Sequence, residues 1–519
     1  MRSAFLFEIA GIQSYVFATG KLRDASGASE LISSLAHEDL SDGLVSEAGL
    51  FAETIRAASL TGKIRVFRCA GGVVDFTCDT GQTHALYRFR ALWRLALSLS
   101  APGLAFRDAV SEGADDAAAR GAARRAILQA PPPAHADAPP SVPIVRPAAL
   151  TDAAPAIWRT ANRADGRCRI TGDYACAPTL AKRTHLDQGS DDLARLFTAG
   201  DAGNYDWPLT FEPDPGRPQD PVFPFPGKVK RVALVHIDGN GVGRFFAGLQ
   251  GKLSDVRPVS AALAQATKDA AAEAMIAVLK ASVPPPGGGK PVVPARPILL
   301  GGDDLTVLLR ADLALDFARG FSAAFERKTE ELFGQIEGLQ GHEGLTAKTG
   351  IVFMGPKQPF VQAYELCEDL AKEARAETQS RVSFWRLTGA MIPRDADEIK
   401  ALTSRDGMTF WRKSWAWDEF AKLEDLVEVM SSDEIGRGPL RRVPELAQAG
   451  RTGSGPAPEE VYRRALNVLR NRAPAIHAGF LNAMRELGVD HAETRFDADG
   501  YVPLLDAHVL GKLAEDQAA

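Results

Sequence analysis

Between residues 229 and 378 the apolar positions fall into runs of two kinds. Continuous runs at 231–238, 297–300, 305–309 and 345–353 have the length and β-branched content of buried strands. Runs at 259–281, 313–334 and 360–376 repeat at helical spacing. Read in order, with the turn between the second and third strands, they predict a βαββαβ palm. The insert Pro284-Pro-Pro-Gly-Gly-Gly-Lys-Pro291 is a surface connection entering the hairpin, since proline and glycine forbid regular structure there.

The N-terminal segment repeats the order. Strand Phe5-Leu-Phe-Glu8-Ile9, helices over 10–50, strand 63–67, Gly71-Gly72, strand 73–77 and helix 83–99 read as a second copy, for which internal duplication is the economical explanation. The two hairpins differ in chemistry: aligned on their glycine pairs, Val73 and Val74 stand where the other copy has Asp303 and Asp304. A metal site in the first copy is therefore not expected.

The predicted fold class is α+β: two ferredoxin-like palm domains of nucleotidyl-cyclase type, a small intervening domain and a helical C-terminal domain. The boundaries read as 1–112 for a degenerate first palm, 113–228 for an alanine- and proline-rich linker with a small cysteine-containing domain, 229–378 for the catalytic palm, and 379–519 for the mainly helical remainder. The last of these holds one strand, 381–385, and Trp411, Trp415 and Trp417, expected as core anchors.

The chemistry concentrates in the second copy. Gly301-Gly302-Asp303-Asp304 sits between Pro297-Ile-Leu-Leu300 and Leu305-Thr-Val-Leu-Leu309, so a tight hairpin carries two adjacent carboxylates at its tip. The strand 231–237 ends in Asp238 and leaves through Gly239-Asn240-Gly241-Val242-Gly243. If that strand lies beside the hairpin, Asp238, Asp303 and Asp304 converge, which is what two-metal phosphoryl or nucleotidyl transfer requires. Magnesium favours such hard oxygen ligands and completes its shell with water and substrate phosphates.

Composition limits the alternatives. With 519 residues, 45% hydrophobic and 24% charged, the chain is an ordinary globular protein of several domains, and a net charge of −6 argues against general affinity for nucleic acid. Five cysteines without a CxxC pair suit a reducing cytoplasm. The N-terminal apolar run is too short for a signal sequence or a membrane span, so neither is expected. Cys168, Cys176 and His185 give at most three of the four ligands zinc normally takes, and free buried thiols are the expectation.

Taken together, His236-Ile-Asp-Gly-Asn-Gly-Val-Gly243 and Pro297-Ile-Leu-Leu-Gly-Gly-Asp-Asp-Leu-Thr-Val-Leu-Leu309 resemble the catalytic palm of the large polymerase subunit of type III CRISPR effector complexes, the cyclic oligoadenylate synthetases. Glu8-Ile-Ala-Gly-Ile-Gln13-Ser-Tyr-Val-Phe17, Lys21-Leu-Arg-Asp24 and Gly27-Ala-Ser-Glu-Leu-Ile32 resemble the opening of that family's degenerate first palm. The stretch Thr349-Gly-Ile-Val-Phe353 with Leu366–Arg375 resembles the following strand and helix, whose basic residue reaches the triphosphate; Arg375 fits that slot and Lys372 lies three residues earlier.

The resemblance implies a nucleotidyltransferase that makes cyclic or linear oligoadenylate from ATP. Two Mg²⁺ or Mn²⁺ ions would sit on Asp238 and Asp303, with the Gly239 carbonyl as a further ligand and Asp304 completing the cluster. Nucleotide would lie against Gly239, Asn240, Gly241, Gly243, Gly301, Gly302, Lys372 and Arg375, and the acceptor side would be shaped by Glu8, Gly11, Gly71 and Gly72. Guide-RNA effector subunits and an activating target RNA are the implied partners, with a homodimer as another arrangement.

Three departures from the family pattern stand out. The first palm opens within ten residues of Met1, so the family's histidine-aspartate nuclease activity is not expected, and His37-Glu38-Asp39 is no substitute. Asn240 replaces a second acid, and the paired cysteines are reduced to Cys168 and Cys176. Two other readings stay open: a diguanylate-type or other nucleotide cyclase, and a non-catalytic scaffold subunit of an RNA-guided complex.

Overall fold

A computed structural model of the chain describes residues 1–35, 49–70, 72–130, 134–135, 151, 160–162, 168–170, 176–187, 192–198, 201–215, 217–249, 256–376, 378–387, 392–405, 408–431, 458–489 and 503–518. His37, Glu38, Asp39 and Gly71 lie outside them.

Two separate sheets carry the architecture. The first is built from β1 (Arg2–Ile9), β2 (Ile64–Ala70), β3 (Val73–Asp79), β4 (Ala105–Gly113) and β5 (Ala134–His135), in the order β2-β3-β1-β4-β5. Helices α1 (Ile12–Phe17), α2 (Leu22–Leu35), α3 (Leu50–Ala57), α4 (Thr83–Ser100) and α5 (Asp116–Gln129) accompany it. Phe5, Phe76, Phe89 and Trp93 form a T-shaped and stacked aromatic core between this sheet and α4. Strand β4 has no counterpart in the elements read from sequence, because Ala105-Phe-Arg-Asp-Ala-Val-Ser-Glu-Gly113 mixes charge into a short run and carries a weak apolar signal.

Three small pieces follow: the paired β6 (Thr160–Asn162) and β7 (Cys168–Ile170), and helices α6 (Ala177–Asp187) and α7 (Asp192–Leu196). Both helices pack on α2. The Cys176 thiol is buried against the hydroxyls of Thr179 at 3.2 Å and Thr151 at 3.7 Å.

The second sheet repeats the first. Strands β8 (Val232–Gly239), β9 (Ala295–Leu300), β10 (Asp304–Arg310) and β11 (Ala347–Met354) lie in the order β11-β8-β10-β9, which is the β4-β1-β3-β2 order again. Both hairpins also carry a register shift at the same place, between Val66 and Arg68 in one and opposite Thr306 and Val307 in the other. The helices are α8 (Val242–Leu249), α9 (Arg257–Lys280), α10 (Ala314–Gly334) and α11 (Phe360–Glu373). Gly350 lets α11 close on the sheet, since a Cβ there would meet the Cys367 carbonyl oxygen at 2.0 Å. Every residue of β11 is buried, including Lys348.

Beyond β11, β12 (Arg381–Arg386) extends the second sheet in parallel, and α12 (Ala396–Leu402) precedes the short strands β13 (Ser404–Arg405), β14 (Met408–Thr409) and β15 (Trp415–Ala416). Helices α13 (Trp417–Ser431), α14 (Pro458–Arg472), α15 (Pro474–Glu486) and α16 (Leu504–Ala518) complete the helical end. Trp411 and Trp415 are buried, and the Trp411 indole donates to the Phe384 carbonyl at 3.1 Å.

The two palms meet through α1 and α11. Phe17 stacks on Phe360 at 6.0 Å and touches Tyr364 at 5.3 Å, while Gln13 donates to the Tyr364 hydroxyl at 3.2 Å. On α2, the Ser29 hydroxyl bonds the Ile298 carbonyl of β9. Phe17 and Phe360 are almost wholly buried, and each such side chain contributes about 1.5–3 kcal/mol.

Candidate active site

At the end of the second sheet the register places Asp304 on one side of Asp238 and Lys348 on the other, across β10-β8-β11. Lys348 is ion-paired with the Asp238 carboxylate. Asp303, at the tip, feels the Asp238 carboxylate directly. Its carbonyl accepts from the Gly239 N–H at 3.0 Å. Thus the three predicted acids are adjacent.

Their setting raises the cost of charge. Burial, then repulsion from Asp238 and Asp304, pushes Asp303 up to about 7, against the pull of Arg68. Burial also raises Asp304, and His236 beside it works in the opposite direction. The His236 imidazole is held down by its own burial, and its Nδ1 lies 3.0 Å from the Thr306 hydroxyl. Behind it stands Tyr364, edge-on at 5.6 Å, so Gln13, Tyr364 and His236 connect the first palm to the back of the acidic site.

The glycines have separate jobs. A Cβ on Gly301 would fall 1.8 Å from Asp304 Oδ1, so the carboxylate occupies the space a side chain would take. Gly302 is anchored through its carbonyl, which accepts from Thr267 of α9 at 2.9 Å. A Cβ on Gly239 would meet Val242 at 2.6 Å and Asp303 at 3.4 Å. Gly241 is left-handed at φ 67° and opens α8, whereas Gly243 has open space around its Cα. Asn240 is buried, donates to the Thr346 hydroxyl at 3.0 Å, and leaves its Oδ1 without a partner among the described residues.

Matching backbone bonds superpose the first palm on the second. The Ile9 N–H donates to Gly72 O at 2.9 Å as Gly239 does to Asp303, and Ala10 to Ala105 at 2.8 Å as Asn240 does to Thr346. Gly72 therefore stands for Asp303 and Val73 for Asp304, one residue earlier than alignment on the glycine pairs had placed them. Glu8 stands for Asp238, Arg107 for Lys348, and left-handed Gly11 for Gly241. Only one carboxylate of the three survives there.

Two basic residues at the site escaped the sequence reading. Lys348 is a single charge inside the apolar strand β11, and that isolation was the available signal. Arg68 comes from β2 of the first palm, close over Gly302, with its Nη2 4.0 Å from where a Cβ would sit. Of the basic pair that was predicted, Lys372 is exposed and ion-paired to Glu368 at 3.0 Å, and Arg375 is exposed two residues past the end of α11.

Among the described residues no group of three or more His, Cys, Asp or Glu side chains is placed to hold a metal ion. The donor chemistry nevertheless fits magnesium or manganese, which take one or two protein carboxylates and fill their shell from water and substrate phosphate. An acid held up to about 7 by burial and then by its neighbouring carboxylates is the electrostatic counterpart of that fit.

This is the hairpin-tip acid cluster of a paired-palm protein of nucleotidyl-cyclase type. Residues 231–383 match the family model described as Cas10/Cmr2, second palm domain, so this stretch of the chain carries a palm of that type. Its fold is that of Csm1: a crystal structure of Csm1 in T. onnurineus matches with a TM-score of 0.51 and 13% identity, over 99% of this chain and 69% of that one. A crystal structure of a Csm1–Csm4 cassette in complex with cA4 matches at TM-score 0.47 and 14% identity, over 99% and 70%. Another, with one ATP, matches at 0.45 and 13%, over 99% and 70%. No curated protein matches the sequence.

Proposed function

We propose that this chain is a metal-dependent nucleotidyltransferase that joins ATP into a cyclic or linear oligoadenylate second messenger in type III CRISPR or related antiviral defence. The observation that supports it most is the adjacency of Asp238, Asp303 and Asp304, with Asp303 driven toward neutrality. Stability gives no reason to gather three repelling carboxylates. Substrate-bound cations do.

In this reading Asp238 and Asp303 hold Mg²⁺ or Mn²⁺, with the Gly239 carbonyl and Asp304 completing the set. The bound ions would lower the pKa of the acceptor hydroxyl and neutralise charge on the α-phosphate and the departing pyrophosphate. The acceptor hydroxyl would lose its proton to solvent, and its oxygen would form a bond to the α-phosphorus as the bond to pyrophosphate breaks. Lys348 is released from Asp238 and turns to the phosphates, and Arg68 reaches them from the silent palm. Gly301 and Gly302 leave the hairpin backbone open to the nucleotide, while the Glu8, Gly11 and Gly72 end of the first palm bounds the acceptor. Adenine preference and guide-RNA partners rest on the family likeness of residues 231–383. Both palms lie in one chain, and Arg68 of the first stands close over Gly302 of the second. Among the described residues no helix is long and apolar enough to cross a membrane.

Product analysis tests this reading. ATP with Mg²⁺ or Mn²⁺, with and without RNA-guided partners and target RNA, should give adenine oligonucleotides and one pyrophosphate per bond by mass spectrometry. Dinucleotides from GTP would instead identify a diguanylate-type cyclase, and tight partner binding without pyrophosphate under every activating condition would identify a scaffold.

A further inference from the structure

Two neighbouring rungs of the second sheet share one face across β10-β8-β11. The outer rung is Asp304, Asp238 and Lys348; the rung beneath it is Thr306, His236 and Gly350, two residues along each strand and therefore on the same side of the pleat. His236 Nδ1 and the Thr306 hydroxyl meet at 3.0 Å, and both residues are buried. Gly350 ends the lower rung without a side chain, and that absence is what brings α11 down onto it.

The sister palm shows that the fold itself does not ask for a histidine at this place. With Glu8 standing for Asp238, the counterpart of His236 is Leu6, buried together with Ala119 and Ala123 of α5. In the second palm α11 instead sets Tyr364 against the histidine, 1% exposed, with the two rings edge-on at 5.6 Å. The Tyr364 hydroxyl accepts from Gln13 Nε2 at 3.2 Å. Gln13 stands on α1, two residues past left-handed Gly11 and five past Glu8, so this hydrogen bond starts from the end of the first palm that bounds the acceptor. Burial raises the Tyr364 hydroxyl, the Gln13 bond opposes that rise, and Glu368 and Asp304 add to it; the hydroxyl is therefore within electrostatic reach of a hairpin acid.

We infer that Tyr364 is a positioning residue through which Gln13 ties the acceptor end of the first palm to the rung supporting Asp238 and Asp304, an assignment that rests on the nucleotidyltransferase reading. Its ring fixes His236 and, through Thr306, the start of β10 on which Asp304 stands. Its hydroxyl takes its own place from Gln13. A nucleotide settling against Glu8 and Gly11 thereby aligns the acids across the cleft, so the two nucleotide sites communicate.

Kinetics and histidine spectroscopy of the full chain test this together. Tyr364→Phe keeps the ring and removes the hydroxyl, and Gln13→Leu removes the donor. Each should lower kcat for pyrophosphate release about fivefold, the worth of one hydrogen bond, with KM for ATP within about twofold and the melting temperature unchanged. The double variant should lose no more than either single one, because the two groups act as a unit. Both substitutions should also displace the His236 ring resonances in a nitrogen-15 histidine spectrum, where His236→Gln assigns them by their loss. Wild-type kcat in both single variants overturns the inference, as do losses that multiply in the double variant, a loss that falls on KM alone, or an unmoved His236 resonance. The resonance needs no turnover: a wild type that releases no pyrophosphate contradicts the nucleotidyltransferase reading, and the histidine signal then decides the coupling by itself.

Discussion

Lys348 is ion-paired with Asp238 at the place where, in the sister palm, Arg107 faces Glu8. A base thus stands opposite an acid in the register of both halves, although the ion pair is formed in the second and the other two acids remain only there. In the second half the lysine occupies a carboxylate that the proposed reaction needs for a cation.

Replacing Lys348 by methionine should therefore separate stability from metal affinity. In EDTA the variant should lose about 2 kcal/mol, less than the ~3–5 kcal/mol of a fully buried pair because the Asp238 side chain is 30% exposed. Divalent cation should bind more tightly and restore the melting temperature. Calorimetric unfolding with EDTA and with Mg²⁺ checks both; an unchanged melting temperature in EDTA would show that the pair is idle.

The hairpin glycines should differ in tolerance. Gly301→Ala forces a methyl to 1.8 Å from Asp304 Oδ1 and should cost about 1–3 kcal/mol along with the activity. Gly302→Ala, with nothing closer than Arg68 Nη2 at 4.0 Å, should leave the fold unchanged. Urea unfolding of the two variants side by side measures the difference.

Much of this site was legible in the sequence because it is local. The run ending at Asp238 and the Gly301–Asp304 turn announce a strand end and a hairpin, and the shared hydrophobic order announced the duplication. What was not legible is non-local. Arg68 arrives from a different palm, β4 is too polar to read as a strand, and the one-residue offset between Gly72–Val73 and Asp303–Asp304 appears only in the backbone bonding of Ile9 and Gly239.

Asp303 makes the metal-free protein sensitive to pH. With its folded pKa raised to about 7 from 3.8, the folded state keeps a proton that the unfolded state has lost, so stability in EDTA should decline as pH rises through that interval. Asp303→Asn should flatten the dependence. Cation binding must expel the same proton, so Mn²⁺ affinity should climb up to about tenfold per pH unit below 7 and level off above it. Isothermal titration in buffers of different ionisation enthalpy reads the proton release directly.

Arg68→Ala should lower kcat/KM for ATP about tenfold, or ~1.4 kcal/mol, by removing the cation that the silent palm extends over the hairpin. Its exposed position predicts an unaltered melting temperature. Steady-state pyrophosphate release against ATP concentration checks the effect; wild-type kinetics would confine the first palm to an architectural role.

The central claim is that Asp238 and Asp303 jointly hold divalent cations. A crystal soaked with Mn²⁺ and a non-hydrolysable ATP analogue tests it through the anomalous signal of the metal. Peaks between those two carboxylates, with Lys348 swung away from Asp238, are the predicted result; nucleotide bound with no manganese at that pair would contradict it.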